Sequence, residues 1–374
     1  MLSAGDHAPP FNLLDATGER FILRQEVGFP QLLVFQGSDA QTGNAELLQA
    51  LQAALPDFER IGAKIVSIGP DSLEQRKQFA EDAAITYCLL SDPHHEVAGM
   101  FCLCEADYWS SAETVSYPST AFLLDANLMI VGILSPFNAE QIAAVIETFK
   151  ICCPKRDPYL VSDVYAPPVL LIPDVLDGGT CRALMDLWET QNQVSHFMRA
   201  DGDKTVGVVD ARMKIRRDHF IKDEQIKSHI NGFFQRRVYP EIEKCFNYVV
   251  YEYEHFKIAC YDAETGGYFR QHRDNTSGGT AHRKWALSLN LNTDEYEGGY
   301  LRFPEYGPQL YKPPTGSAVV FSCSLMHEAT DVTAGRRFVL LSFFYGENES
   351  RNRELYLSKY GTDDYIPKEV TDSQ

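Results

Sequence analysis

Tyr268-Phe269-Arg270-Gln271-His272-Arg273-Asp274-Asn275 is the stretch on which the second half of the chain turns. Read as the end of a β-strand, it sets side chains two apart on the same side. His272 and Asp274 then converge on one point, and Arg273 turns away. One imidazole and one carboxylate hold a metal poorly, so a third donor is required. His327 supplies it downstream, and Arg337 follows at the head of the apolar run Phe338-Val339-Leu340-Leu341-Ser342-Phe343-Phe344-Tyr345. Two imidazoles and one carboxylate on one face, with positions open opposite, form a facial donor set that suits non-haem Fe(II).

The surroundings read as short strands. From Phe256 the pattern has period two: Phe256, Ile258 and Cys260 share one face, while Lys257, Ala259 and Tyr261 share the other. Trp285, Leu287, Leu289 and Leu291 alternate with Ala286, Ser288, Asn290 and Asn292, giving one greasy face and one small, polar face fit to line a pocket. Glu297-Gly298-Gly299 and Pro313-Pro314-Thr315-Gly316 are tight turns. Strands at this spacing, broken by Gly and Pro, predict a sandwich or jelly roll. A guanidinium aimed into such a core needs an anion, and the planar fork of Arg337 suits a carboxylate held bidentately. The bland alternative is an internal ion pair with Glu328 or Asp331. Asn275 to Lys284, rich in Gly, Ser and Thr, reads equally as a mobile lid or a plain exposed loop.

These stretches carry a family resemblance. Residues 165 to 347 resemble the iron(II)/2-oxoglutarate-dependent dioxygenases of the prolyl-4-hydroxylase-like branch. The motifs are Tyr261…Gly267-Tyr268…His272-x-Asp274, Glu297-Gly298-Gly299-Tyr300-Leu301-Arg302-Phe303-Pro304, and His327 through Arg337. The resemblance implies a double-stranded β-helix with Fe(II) held by His272, Asp274 and His327. It places Arg337 on the distal carboxylate of 2-oxoglutarate, and Tyr261 and Asn290 on the cosubstrate or the pocket wall. It also implies O2 as oxidant, ascorbate as an accessory reductant, and succinate and CO2 as co-products. The substrate would be a prolyl or other side chain of a protein or peptide, or a small molecule such as an amino acid. Two positions depart from the family pattern: Asn290 stands where animal prolyl hydroxylases often have tyrosine, and Val339 stands where some relatives have a serine beyond the arginine. Ligating imidazoles must be neutral, so activity is expected to fall as the pH drops below about 6.

Ahead of the barrel, Val169 to Pro173 reads as a strand. Asp177 and Asp223 open helices, and Pro240 breaks or kinks the second. The helices are expected to buttress one sheet. Lys214-Ile215-Arg216-Arg217-Asp218 between them reads as a possible strand whose charges either form a solvated edge or reach the pocket. Residues 151–168, with four prolines and no clear period, read as a linker. The organisation expected is an α/β domain over 1–150, the linker, an α+β oxygenase domain over 169–350, and a tail over 351–374. The acidic end of that tail, from Gly361, is expected to be partly disordered.

Residues 1–150 alternate strands and helices and close on a hairpin, Thr120 to Leu124 and Met129 to Ile133. This half resembles the peroxiredoxin branch of the thioredoxin fold through Gly5-Asp6-x-Ala8-Pro9-x-Phe11-x-Leu13, Leu89-Leu90-Ser91-Asp92 and Thr120 to Asp125. Such enzymes carry a reactive cysteine at the start of the long helix, where the helix N-terminus lowers its pKa. Asn44 stands there instead, and Tyr117-Pro118-Ser119 replaces the arginine expected before the Thr120 strand. A scaffold for dimerisation or substrate presentation is therefore expected rather than a peroxidase. Cys102 and Cys104 read as isolated thiols rather than a redox pair, and His94-x-Glu96 as surface. Pro118 falls where this fold often carries a cis-proline, and the sequence leaves its isomer open.

Composition bounds the partners. Among 374 residues the net charge is -18, which argues against nucleic acid. No window has the ~18 uncharged apolar residues of a membrane span, and the first residues lack a basic region followed by an apolar stretch. Nine scattered cysteines point to a reducing cytoplasm. A scaffold with a vestigial iron site is the rival from another class, and the complete donor set argues against it. A thiol peroxidase is a further rival, against which Asn44 stands.

Overall fold

In the first half, Gln31–Phe35 is buried along its whole length because it lies between two layers. It pairs in parallel with Lys64–Gly69 and antiparallel with Thr120–Leu124. The mixed sheet has seven strands, in the order Arg20–Ile22, Asn12–Asp15, Cys88–Ser91, Lys64–Gly69, Gln31–Phe35, Thr120–Leu124, Ile130–Leu134. The helices Thr42–Ile61 and Ile142–Cys152 cover one face through Leu48, Leu51, Phe58, Val145 and Phe149. Phe35, Val97, Phe101 and Phe122 fill the other face. This is the thioredoxin-type layering expected of the half. The computed structural model describes residues 2–39, 41–104, 117–153, 166–361 and 368–369. It divides into two units, Met1–Val161 and Ser162–Gln374. Most of the expected linker, and the acidic end of the expected tail apart from Lys368–Glu369, lie outside the described residues.

Asn44 sits in the first turn of the helix Thr42–Ile61. Its amide donates to the Ser38 carbonyl at 2.9 Å and accepts from the Ser119 hydroxyl at 3.3 Å. The position where a thiol was sought thus holds a hydrogen-bonded carboxamide. Nearby, the fully buried Arg76 faces Asp39 at 3.7 Å. His94 and Glu96 are exposed. Among the described residues the cis peptide bond is Ser135–Pro136, not the one before Pro118.

The second unit is a sandwich. Its larger sheet runs Leu170–Ile172, Ala318–Ser322, Trp285–Asn290, Val332–Tyr345, Lys257–Asp262, Arg217–Phe220, Gln193–Val194. The smaller runs Lys214–Ile215, Tyr268–His272, His327–Ala329, Leu301–Arg302, Leu310–Tyr311. The greasy face of the larger sheet, with Ile258, Cys260, Leu287, Leu289 and Leu340, packs on the helices Gly178–Thr190, Glu224–Arg237 and Tyr239–Phe246. Trp188, Ile230, Phe234 and Ile242 are the helical side of that core. Asp177 and Asp223 cap the first two helices. The second ends at Arg237, just ahead of Pro240 in the next. The opposite face of the larger sheet, with Lys257, Ala259, Tyr261, Ser288 and Arg337, turns toward the smaller sheet. A double-stranded β-helix with helical buttresses follows from this alternation.

Three expectations are corrected here. Lys214, Arg216 and Asp218 are buried, not a solvated edge, because their strands line the inside of the sandwich. The stretch from 351 is not a tail, since the helix Glu347–Tyr360 runs through it. Asn275 to Lys284 is not a plain exposed loop: Ser277, Thr280, His282 and Arg283 are buried. The Arg283 fork grips Glu254 at 2.6 and 2.8 Å, and the Gly279 amide donates to Thr205 at 2.7 Å.

Candidate functional site

His272 ends the strand Tyr268–His272 and lies directly across from His327 on its antiparallel neighbour. The chain then turns, and the turn rather than the strand delivers Asp274; the Asp274 amide donates to the Cys323 carbonyl at 3.0 Å. Arg273 points aside to Glu305 at 2.5 Å. Each imidazole is fixed from behind: His272 Nδ1 meets the Arg270 carbonyl at 2.7 Å, and His327 Nδ1 the Leu325 carbonyl at 2.9 Å. Phe269 stacks on the His272 ring at 3.5 Å, and Phe321 packs on His327 at 4.7 Å.

With Nδ1 committed as donor, Nε2 of each ring is left to point forward. Both do so toward Asp274: His272 Nε2 lies 3.4 Å from one carboxylate oxygen and His327 Nε2 3.3 Å from the other. One donor atom from each of the three lies within 4.8 Å of the others, and among the described residues no other group of three or more His, Cys, Asp or Glu side chains does this. Two imidazole nitrogens and a carboxylate sharing one centre fit a divalent first-row metal. Burial and the neighbouring His327 push His272 down to about 4, so it is neutral at pH 7. Burial also opposes charge on His327, but the Asp274 carboxylate outweighs it and raises that imidazole. Burial would raise Asp274, yet the two imidazoles hold it well below the usual carboxylate range. The cluster is therefore built around one anion facing two nitrogens, which is what a cation needs.

A cavity of about 450 Å³ opens beside this triad, within the roughly 300–1,000 Å³ of small-molecule sites. Arg337 lines it, 4 % exposed. Its Nη2 reaches Ser288 Oγ and Asn290 Oδ1 only at 3.4 Å each, and its Nε has no partner among the described residues. The rival ion pairs are spent elsewhere: Glu328 on Arg302 at 3.1 Å, Asp331 on Arg270 at 2.7 Å. Tyr261 stands opposite Arg337 across the strands and accepts from Arg216 at 3.0 Å. Asn290 is not on the cavity wall; its amide donates to the Pro313 carbonyl at 2.9 Å while its oxygen backs Arg337. Gly299 makes room for the guanidinium stem: at φ +59, a Cβ there would lie 2.8 Å from Arg337 Cδ.

Of the charged wall, the sequence offered the Lys214 to Asp218 charges as able to reach the pocket, and Lys257 and Arg283 were missed. Arg216 is closed onto Asp218 at 2.7 Å, Arg283 onto Glu254, and Lys214 donates to the His196 carbonyl; all but Glu254, Asp218 and the carbonyl face the cavity. Lys257 lines it too. The one available signal was periodicity, which had already set Lys257 on the face of Tyr261.

Two family models match the chain. Residues 4–132 match the AhpC/TSA family and residues 256–345 the 2OG-Fe(II) oxygenase superfamily. The chain is similar to Peroxiredoxin Bcp of Escherichia coli (strain K12), 27% identical over 140 residues, which cover 37% of this chain and 90% of that protein. It is also similar to the chloroplastic Peroxiredoxin Q of Sedum lineare, 31% identical over 26% of this chain and 52% of that one. Among solved structures, the peroxidoxin BcpB of Mycobacterium tuberculosis matches at 22% identity and a TM-score of 0.38, covering 41% of this chain and 99% of that one. Among the described residues no helix is long and apolar enough to cross a membrane.

Proposed function

We propose that this chain, a 2-oxoglutarate-dependent dioxygenase joined to a peroxiredoxin-like half, is a hydroxylase. Its substrate is a side chain of a protein or peptide, prolyl or other, or a small molecule. His272, Asp274 and His327 would hold Fe(II), and Arg337 would take the far carboxylate of 2-oxoglutarate. The bound iron supplies the oxidising chemistry, which couples decarboxylation of 2-oxoglutarate to hydroxylation by O2.

The observation that carries this reading is the convergence of two backbone-locked imidazoles on one buried carboxylate. The protein's own work is positional. The carbonyls of Arg270 and Leu325 fix the tautomers, so neither ring needs to reorganise to bind metal. Arg337 is held loosely by neutral oxygens, which leaves its fork available to a carboxylate. Arg216 fixes the Tyr261 phenol on the wall of the same cavity.

The test is succinate formation from 2-oxoglutarate with Fe(II) and ascorbate. The wild type should produce it and His272→Ala should not. Equal succinate from the variant, or none from the wild type under any condition, would overturn the assignment.

A further inference from the structure

Burying charge inside a sandwich is costly unless each charge meets its opposite. Around this cavity the account is nearly closed. Arg216 has Asp218, and Arg283 has Glu254. Arg337 is spoken for by the cosubstrate in the reading above. Lys214 donates to a neutral carbonyl and lies over the Phe269 ring at 4.6 Å. Lys257 is the exception. Among the described residues no hydrogen bond or ion pair reaches its ammonium, which lies 5.3 Å from the Phe343 ring and 6.0 Å from the Phe220 ring.

Its place matters as much as its charge. Lys257 and Tyr261 lie on the same strand, and Tyr261 is the cross-strand partner of Arg337. Four residues of strand set their backbones roughly 13 Å apart along the sheet. A second cavity, of about 650 Å³, shares His196, Met198, Lys257 and Arg283 with the first. Lys257 therefore stands where the two cavities join, on the side away from the cosubstrate arginine.

We propose that the hydroxylated substrate carries a carboxylate and that Lys257 receives it. This rests on the oxygenase reading and narrows it to acidic substrates. Burial, Arg216 and Arg283 lower the Lys257 pKa, the already paired carboxylates of Asp218 and Glu254 oppose them, and it settles at about 8, which leaves the group mostly charged at neutral pH. An arriving carboxylate completes the pairing that the chain itself leaves open. The carboxylate could belong to a free amino acid or to a peptide; the chemistry at Lys257 is the same.

The test is calorimetric binding to the full chain loaded with Zn(II) and saturated with 2-oxoglutarate, so that no turnover intervenes. The probes are matched acid and carboxamide pairs in two arms: free L-amino acids with their amides, and short peptides with acid or amide termini and Glu or Gln side chains. In at least one arm an acid should bind about ten- to a hundredfold more tightly than its amide. That preference should vanish in Lys257→Met and return in Lys257→Arg. The arm that shows it names the source of the carboxylate. Acids that bind no better than their amides, whether both bind or neither does, overturn the proposal, as does a preference that survives in Lys257→Met. Failure of the oxygenase reading itself would show separately, as the absence of iron-dependent succinate from the wild type.

Discussion

A single guanidinium and a single carboxylate illustrate what one side chain decides here. Arg337 is buried with an unpartnered Nε and only long contacts to Ser288 and Asn290. If it grips 2-oxoglutarate, Arg337→Gln should weaken cosubstrate binding about ten- to a hundredfold, the value of charge-assisted hydrogen bonds. Titration calorimetry would measure it, and an unchanged Kd would remove Arg337 from that role. Asp218 makes the complementary case. Burial would push its carboxyl up, but Arg216, helped by Lys257 and Lys214, brings it down to about 2 from 3.8. A carboxylate whose pKa falls on folding stabilises fully above its unfolded value and loses that contribution as the pH drops through its folded one. Asp218→Asn leaves a buried guanidinium unpaired and should cost about 3–5 kcal/mol at neutral pH. The gap to wild type should narrow by about 2.4 kcal/mol between pH 3.8 and about 2. Denaturant unfolding of the second unit across that range checks both size and sign.

Strands and turns place these groups, and here the sequence was readable in part. The alternation over Phe256 to Tyr261 assigned both faces of its strand correctly, because one face meets helices and the other a cavity. The triad was legible because His272 and Asp274 are close in sequence and only a strand end or turn can follow them. Charge, not alternation, favoured the solvated edge over the pocket wall at Lys214 to Asp218. Where a sandwich interior is polar, charge no longer marks the solvent side. The hairpin Phe197–Asp201 with Lys204–Val209, which supplies Met198 and Arg199 to the cavity wall, went unread, although Asp201-Gly202 is a hairpin turn signal. The turn at Gly298-Gly299 makes a sharper prediction. Gly299→Ala meets both a positive φ and a Cβ 2.8 Å from Arg337 Cδ. The arginine must shift, so cosubstrate affinity should fall at least threefold while the triad still binds metal. Parallel calorimetry with 2-oxoglutarate and with Zn(II) separates the two, and an unchanged 2-oxoglutarate Kd would argue against the crowding.

Across the whole molecule, two folds share one chain. The peroxiredoxin-like half keeps the layering and is expected to be inert as a thiol peroxidase. Asn44 fills the helix start. Burial pushes the thiols of Cys88 and Cys153 up to about 12 and 11, away from the reactive thiolate. Peroxide consumption with a dithiol reductant should match the uncatalysed rate, and Cys102→Ser should leave it there. Turnover that disappears in Cys102→Ser would restore a thiol activity to this half. The order of elements has a consequence of its own. The seven strands of the first sheet are finished by Leu134, so that sheet can form while the chain is still emerging from the ribosome. The strand Val332–Tyr345, by contrast, is the middle member of the larger sheet and carries Arg337. Until it leaves the exit tunnel, the strands that precede it have a gap at their centre. Nascent chains stalled before that point should therefore engage chaperones through the second unit alone.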